Sequence, residues 1–301
     1  MRWAAVAGLA LLVVAACLLA PAPAVAAGYA NPQLLVETDE LARLVGTPGL
    51  RIVDLRRDPD KGEAAYRAAH IAGAVYLAAR ELDDARANAD GFPIRPDQAA
   101  ALFGGLGIDH DTTVIAYDDA GSQLAARLFF VLEYYGHTKI RVLNGGLAKW
   151  RQEGRPLTAE VARPEPKRFV PRPRREVLAT ADEVRADLGK SEVCLIDARS
   201  PEEYAGTEVR ARRGGHIPGA ENVDWRATLR PDQTFKPADE LRAIFEAAGV
   251  RPDRQIIVYC QSGSRSAHDY LALRLLGYVR IKNYDGSWNE WGNDPRLPVQ
   301  K

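Results

Sequence analysis

The residues best suited to chemistry lie in one short segment, Tyr259 to Ser266, whose sequence is YCQSGSRS. Cys260 ends an apolar run, and a thiol followed by a polar, glycine-containing loop can act as a nucleophile. Gly263 allows a tight turn, and Arg265 adds a fixed positive charge for an anion. The backbone N–H groups that could stabilise the charged sulfur belong to Gln261, Ser262, Gly263, Ser264, Arg265 and Ser266. The alternative is an inert core thiol, as expected for Cys194, but the polar loop favours the nucleophile.

The elements around Cys260 predict a parallel sheet covered by helices. The run 255–259 is typical of a buried strand, and a helix is expected from Ser266 to Leu276. Another helix is expected from Asp239 to Ala248, ended by Gly249. Strands that alternate with helices indicate an α/β fold. Because open sheets of this kind bind ligands at the carboxyl ends of their strands, Cys260 is expected at a ligand site.

The chain contains one long internal repeat. Four sequence blocks recur in the same order, 141 to 146 positions apart. One of them aligns VIAYD with IIVYC, so Asp118 occupies in the first copy the position that Cys260 has in the second. We therefore expect one domain at 33–154 and a second at 177–301. The segment 155–176 is rich in proline and arginine and is expected to be an extended linker.

The first 26 residues are typical of a secretory signal peptide. A basic start precedes an apolar run from Trp3 to Ala20, and small residues at Ala24 and Ala26 form a cleavage site. A retained anchor is the alternative for an apolar run of that length, but the prolines that follow favour removal. Lipoprotein processing, with acylation of Cys17, stays open. Cleavage would leave a periplasmic or secreted protein with no membrane attachment.

The overall composition excludes several functional classes. The 301 residues include 40 basic and 40 acidic side chains, and this net charge of zero gives no general attraction to nucleic acid or anionic membranes. Three cysteines are too few for a disulfide framework, and no Cys or His cluster has the spacing of a zinc site. The composition is that of an ordinary globular protein.

Several motifs together resemble the tandem-domain rhodanese family of thiosulfate and 3-mercaptopyruvate sulfurtransferases, here as an exported bacterial member. They are the Cys260 loop, the segment YDGSWNEW from Tyr284 to Trp291, the segment DAR from Asp197 to Arg199, and GHIPGA further on. The resemblance implies a five-stranded parallel sheet flanked by helices in each half. It also implies an active second copy and a non-catalytic first copy, because the carboxylate of Asp118 cannot form a persulfide.

The same resemblance implies a reaction. Cys260 would take the outer sulfur of a small anionic donor as a persulfide and pass it to cyanide, or to a thiol or thioredoxin-like acceptor, without metal or organic cofactor. The family places an arginine near the mouth of the site, and Arg199 matches it, so Arg199 and Arg265 are the expected donor ligands. Thiosulfate, which would release sulfite, is favoured because Arg265 suits an inorganic dianion; 3-mercaptopyruvate stays open.

Two other functions are weighed against sulfur transfer. A non-enzymatic carrier would hold a persulfide for a partner without turnover. Phosphatases of related fold place five residues between their cysteine and arginine, whereas four separate Cys260 from Arg265, which favours sulfur transfer. His268, in the helix after the loop, is expected to be half-exposed and to have no chemical role, and His70 and His216 are expected to be structural.

Overall fold

The computed structural model describes Met1 and residues 28–58, 60–84 and 92–301. Apart from Met1, the predicted signal peptide, and with it Cys17, lies outside the described residues. Within the described part of the chain, no helix has the length and apolar character needed to cross a membrane.

Each half of the chain contains a five-stranded parallel sheet, which confirms the predicted fold class. The strands of the first half are β1 Leu35–Val36, β2 Leu50–Asp54, β3 Ala74–Tyr76, β4 Thr113–Tyr117 and β5 Ile140–Leu143. Those of the second half are β6 Leu178–Ala179, β7 Val193–Asp197, β8 Glu221–Asn222, β9 Gln255–Tyr259 and β10 Ile281–Tyr284. The strand orders are β1-β5-β4-β2-β3 and β6-β10-β9-β7-β8, so the two halves have the same topology.

Helices cover both faces of each sheet. The first half contributes α1 Thr38–Leu44, α2 Gly62–Ala68, α3 Pro96–Gly105, α4 Gln123–Tyr134 and α5 Gly146–Gln152. The second half contributes α6 Ala181–Ala186, α7 Pro201–Ala205, α8 Ala238–Ala247, α9 Ser264–Leu275 and α10 Ser287–Trp291. The central strands β4 and β9 are consequently buried on both faces, which explains their continuous apolar sequences.

The helices that follow the two central strands pack against each other and join the halves. Phe130 of α4 meets Tyr270 of α9 edge to face, with their ring centroids 5.3 Å apart. One buried apolar cluster runs through both halves along this contact. The loops that precede α4 and α9 therefore both lie close to the boundary between the halves.

The start of α9 differs from the sequence-based expectation. The helix begins at Ser264 rather than Ser266, because Gly263 adopts a left-handed conformation (φ +85°) and turns the chain directly into the helix. As a result the first turn of α9, with its unpaired backbone N–H groups, lies nearer to Cys260 than the sequence suggested.

The segment between the halves has no helix or strand from 159 to 174. It runs along the first half, where the backbone N–H of Lys167 bonds to the carbonyl of Gly104 and that of Arg172 to Tyr135. Phe169 is buried there against Phe103. The linker therefore packs on the surface of the first half and is hydrogen-bonded to it.

Candidate active site

Cys260 lies directly after β9, the middle strand of the second sheet. Its backbone N–H donates to the hydroxyl of Ser287 at 3.1 Å, and its carbonyl accepts from the N–H of Trp288 at 2.9 Å. The loop is therefore fixed at its first residue by the start of α10. The predicted position of the thiol at the carboxyl end of a strand agrees with the structure.

The sulfur of Cys260 faces donors on one side and apolar groups on the other. The hydroxyl of Ser266, in the first turn of α9, lies 3.5 Å from Sγ and can donate to it. Ala198 and Trp225 form a small buried cluster with Cys260, whose side chain is 1% exposed. Burial thus keeps water from the sulfur, and the hydroxyl of Ser266 is a donor within reach of a negative charge there.

The equivalent loop of the first half holds a carboxylate in place of the thiol. Asp118 accepts four backbone hydrogen bonds: Oδ1 from Ala120 and Ser122, each at 2.9 Å, and Oδ2 from Leu124 at 2.7 Å and Ala125 at 2.9 Å. Burial raises the pKa of Asp118, and the four N–H groups oppose that rise. This loop is thus a cradle for an anion, and its own side chain fills it.

Replacing Asp118 with asparagine is expected to destabilise the protein by about 2–4 kcal/mol, because the amide nitrogen would face two N–H donors that then lose their acceptor inside the protein. Differential scanning calorimetry would detect this as a fall in Tm of about 5 °C or more. Asp119→Asn is the matched control, since exposed Asp119 accepts a single backbone bond, from Arg57. Equal losses in the two variants would contradict this assignment.

Arg265 is paired with a carboxylate that the sequence did not reveal. Its guanidinium binds Glu203 through two bonds, Nη1 to Oε2 at 2.5 Å and Nη2 to Oε1 at 2.9 Å. Although burial alone would raise the pKa of Glu203, the hydrogen bonds and charge of Arg265 lower it to about 2. The expected fixed positive charge is therefore neutralised, and Arg265 anchors the loop to α7 as well as facing the cleft described below.

The Glu203–Arg265 pair predicts a specific pH dependence of stability. The pKa of Glu203 falls from 4.5 to about 2 on folding, so its contribution is complete above pH 4.5 and disappears as the pH drops towards 2. The contribution is on the order of 3 kcal/mol. The Tm difference between the wild type and Glu203→Gln is therefore expected to be constant near neutral pH and to narrow below pH 4.5. Thermal melts from pH 2 to 7 measure it.

Glu208→Gln provides the control for that experiment. Glu208 is exposed and lies 3.8 Å from Arg210, so its replacement is expected to leave Tm nearly unchanged at every pH. A Tm gap for Glu203→Gln that stays constant down to pH 2 would contradict the role given to the pair.

Arg199 does not reach the mouth of the site, contrary to expectation. It is 1% exposed, and its guanidinium binds Asp197 at 2.6 Å and the carbonyl of Gly215 at 2.7 Å. It also lies 4.5 Å from the centre of the Trp288 ring. Because these contacts occupy the guanidinium within the core of the second half, we assign Arg199 a structural role and not a role in binding the sulfur donor.

His268 is also placed differently from the expectation. It is completely buried at the boundary between the halves, where Nε2 lies 2.8 Å from the hydroxyl of Thr228 and the ring stacks on Phe235. Burial lowers the pKa of His268 to about 3, so the ring is neutral at physiological pH. His70 and His216 bind backbone carbonyls, which agrees with a structural role.

A cleft of about 1230 Å³ lies between the two halves beside the loop. Trp225, which shares a buried cluster with Cys260, and Leu229, which packs against that cluster, both line this cleft, whereas Cys260 itself does not. The charged residues of the wall are Arg57, Asp58, Asp119, Glu202, Glu203, Glu208, Arg210, Arg226 and Arg265. Because four arginines face five carboxylates, the cleft does not attract anions by net charge.

The described residues contain no group of three or more His, Cys, Asp or Glu side chains arranged to hold a metal ion. The two cysteines among them, Cys194 and Cys260, are both free thiols. Burial raises the pKa of Cys194 to about 11, and its sulfur lies 3.4 Å from the carbonyl of Ala248. Cys194 is therefore a core thiol, as the sequence predicted.

Comparison with known proteins identifies the family. The sequence profile of the rhodanese-like domain matches residues 37–153 and again residues 180–294. This chain belongs to the rhodanese family. The sulfur carrier protein TtuD of Thermus thermophilus is 40% identical to this rhodanese, over 91% of this chain and 99% of that protein.

Two further relatives carry enzyme names. A thiosulfate sulfurtransferase of Azotobacter vinelandii is 35% identical, over 90% of this chain and 98% of that protein. The crystal structure of SseA from Escherichia coli, a 3-mercaptopyruvate sulfotransferase, matches with a TM-score of 0.76 and 32% sequence identity. The match covers 85% of this chain and 98% of the SseA chain. The family suggested by the motifs, and its fold, are thereby confirmed.

Three contacts of this rhodanese site were missing from the sequence-based set. The hydroxyl of Ser287 accepts a hydrogen bond from the N–H of Cys260, and the carboxylate of Glu203 forms an ion pair with Arg265. A buried pair between Arg127 and Asp285 lies against Gly263. One signal was available for Glu203, because SPEE at 200–203 has the spacing of a capping box and so predicts a fixed carboxylate at the start of a helix.

Proposed function

We propose that this rhodanese is a sulfurtransferase that accepts the outer sulfur of thiosulfate on Cys260 and passes it to a thiol, or to cyanide in an assay. Relatives named thiosulfate sulfurtransferase and 3-mercaptopyruvate sulfotransferase support sulfur transfer as the activity. The role of Cys260 rests on one observation, the Asp118 carboxylate that fills the equivalent cradle in the first half.

The two loops can be aligned through their left-handed residues. Ser122 (φ 66°) in the first half corresponds to Gly263 (φ 85°) in the second, since each directly precedes its helix. The first loop is one residue longer, because Asp118 precedes Ser122 by four positions and Cys260 precedes Gly263 by three. The N–H groups of Leu124 and Ala125, which bind the Asp118 carboxylate, then correspond to those of Arg265 and Ser266. In the second half an anion carried by Cys260 would occupy the place of that carboxylate.

This arrangement supports a two-step reaction at Cys260. The thiolate attacks the outer sulfur of thiosulfate, the sulfur–sulfur bond of the donor breaks, and its electron pair leaves with sulfite. The negatively charged persulfide then receives hydrogen bonds from the loop N–H groups and from the hydroxyl of Ser266. An acceptor such as cyanide then attacks the outer sulfur of the persulfide. The sulfur–sulfur bond of the persulfide breaks, and its electron pair stays on Cys260, which regenerates the thiolate.

The first half takes no part in bond making under this proposal. Asp118 has no sulfur to transfer, and its two oxygens are already occupied by four N–H groups. The donor must therefore be placed by the second half and by the cleft wall that both halves share.

The choice of donor depends on the cradle more than on the cleft. Because Glu203 neutralises Arg265 and the wall carries both signs of charge, backbone N–H groups are the main attraction for an anion. We favour thiosulfate, whose compact charge suits such a cradle. Thiocyanate formation, measured with thiosulfate and with 3-mercaptopyruvate at equal concentration, tests this choice. A much larger kcat/KM for 3-mercaptopyruvate would contradict it.

A carrier without turnover is the second candidate, favoured by the similarity to a protein named as a sulfur carrier. Intact-protein mass spectrometry after thiosulfate separates the two. The enzyme is expected to gain one sulfur atom on the peptide of Cys260 and to lose it when cyanide or a dithiol is added. A persulfide that no acceptor removes would support the carrier. Absence of any sulfur on Cys260 would overturn both.

We also propose that the protein is exported and that the mature chain begins at Ala27. The mass of the N-terminal peptide, measured on protein from the culture fluid or the periplasmic fraction, tests this. A chain that starts at acylated Cys17 would contradict it.

A further inference from the structure

The side chain of Arg127 crosses the boundary between the two halves. It lies on α4 of the first half, and its guanidinium binds Asp285, just after β10, through Nη1 to Oδ1 at 2.5 Å and Nη2 to Oδ2 at 2.9 Å. Nη2 also binds Asp83 at 2.7 Å. The side chains of Arg127 and Asp285 are each 1% exposed, so a buried ion pair joins the inactive half to the active one.

Asp285 in turn lies against the bend of the Cys260 loop. A Cβ added to Gly263 would stand 2.6 Å from Oδ1 of Asp285 and 3.1 Å from Nη1 of Arg127. Asn283 links the same groups, because its Nδ2 donates to Oδ1 of Asp285 at 2.7 Å and approaches the carbonyl of Gly263 at 3.3 Å. The ion pair therefore packs directly on the backbone that aims the loop N–H groups.

The pair breaks the symmetry between the halves. Arg127 is the fifth residue after Ser122, and His268 is the fifth after Gly263, so the two side chains occupy equivalent positions in the repeat. His268 is neutral; it bonds to Thr228 in its own half and also contacts the backbone of Ser122 in the first half. At this position only the first half has a charged side chain, Arg127, and its guanidinium lies against the loop of the second half that contains Cys260.

We infer that Arg127 is a positioning residue for the reaction of Cys260. Through Asp285 it holds the bend at Gly263 in place, so that the loop N–H groups stay aimed at the charged sulfur. The inference rests on the proposed sulfur transfer for its effect on rate. It gives the half that lacks a nucleophile a defined part in the active site.

The variants Arg127→Met, Asp285→Asn and their combination test this inference. Two experiments are carried out well below the Tm of every variant: steady-state kinetics, which give kcat and KM for thiosulfate with cyanide, and amide hydrogen exchange of residues 261–266 by mass spectrometry. Each single variant is expected to lower kcat ten- to hundredfold, with a smaller change in KM, and to speed exchange of the loop about tenfold. The combination is expected to match the single variants, because both remove the same contact.

Arg56→Met is the matched control. Arg56 is buried in the first half, where it binds Asp54 through two bonds and the carbonyl of Ala69 through a third. Its loss should lower Tm but leave kcat and loop exchange within about twofold of the wild type. If Arg127→Met does not fold, Arg127→Lys replaces it. Lysine keeps the positive charge but cannot form the two-pronged contact of the guanidinium with Asp285, so it should show the same effects with smaller magnitude.

Two results would overturn the inference. One is a folded Arg127→Met or Arg127→Lys protein whose kcat and loop exchange resemble those of Arg56→Met. The other is an effect of the double variant equal to the product of the two single effects, which would mean that Arg127 does not act through Asp285. Should the wild type itself lack activity with thiosulfate, the proposed function fails, and the exchange data still decide whether Arg127 holds the loop.

Discussion

Replacing Cys260 with serine is expected to lower the rate of thiocyanate formation from thiosulfate and cyanide by about a thousandfold or more. The hydroxyl occupies nearly the same volume beside Ala198 and Trp225, and Ser266 can still donate to it, so the fold should be retained. A hydroxyl is far less ionised and far less nucleophilic than a thiol, so it cannot attack the donor sulfur at a comparable rate. Steady-state kinetics, with Tm measured in parallel, test this expectation.

Cys194→Ser is the control that separates chemistry from packing. The Cys194 thiol is buried in β7 and lies 3.4 Å from the carbonyl of Ala248, to which a serine hydroxyl could also donate. Because burial raises the pKa of Cys194 to about 11, it remains a neutral thiol at pH 7. Its replacement is expected to cost about 1 kcal/mol of stability and to leave kcat unchanged. Equal loss of activity in both variants would overturn the assignment of Cys260.

The fold could be predicted because its signals are local and occur twice. The apolar runs of β4 and β9 are long enough to be buried on both faces, and each is followed by a helix that starts within a few residues. Because the chain is a repeat, the elements predicted in one half also support those predicted at equivalent positions in the other. The error in the start of α9 came from Gly263, whose positive φ is a property of the turn and leaves no periodic pattern in the sequence.

The partners of the charged residues could not be predicted in the same way. Glu203 and Arg265 are 62 positions apart, and Arg127 and Asp285 are 158 apart, so no helical or strand spacing links them. Glu203 and Arg265 meet because β7 and β9 are neighbours in one sheet, and Arg127 and Asp285 meet because the two halves pack together. An arginine beside a nucleophile therefore suggested an anion ligand, whereas in the structure a buried carboxylate neutralises it.

His268 illustrates the same limit for burial. A helix on the surface of one α/β domain has an exposed face, and His268 was expected to lie partly on it. In this protein α9 packs against α4 as well as its own sheet, and the His268 ring is enclosed by Trp225, Thr228 and Phe235 with the backbone of Ser122 from the first half beside it, so His268 is fully buried. Because contact between the halves is not encoded in the periodicity of either helix, the sequence of α9 alone could not indicate it.

Replacing Gly263 with alanine is expected to be the most damaging change in the loop that leaves Cys260 in place. A left-handed conformation alone costs an L-residue about 1–2 kcal/mol, and the new Cβ would stand 2.6 Å from Oδ1 of Asp285 and 3.1 Å from Nη1 of Arg127. Either the loop or the buried ion pair must move. We expect a loss of about 3 kcal/mol or more in stability and a fall in kcat of about a hundredfold, because the loop N–H groups proposed to stabilise the persulfide would be displaced.

Gly249→Ala isolates the part of this effect that belongs to the active site. Gly249 has a similar conformation (φ +75°), but an added Cβ would meet nothing within 4 Å. It should therefore lose only the 1–2 kcal/mol of backbone strain and keep the wild-type kcat. The difference between the two variants in denaturant unfolding and in kcat measures the contact of the loop with Asp285 and Arg127. A Gly263→Ala protein with nearly normal kcat would mean that sulfur transfer tolerates a displaced loop, and that the cradle is not what stabilises the persulfide.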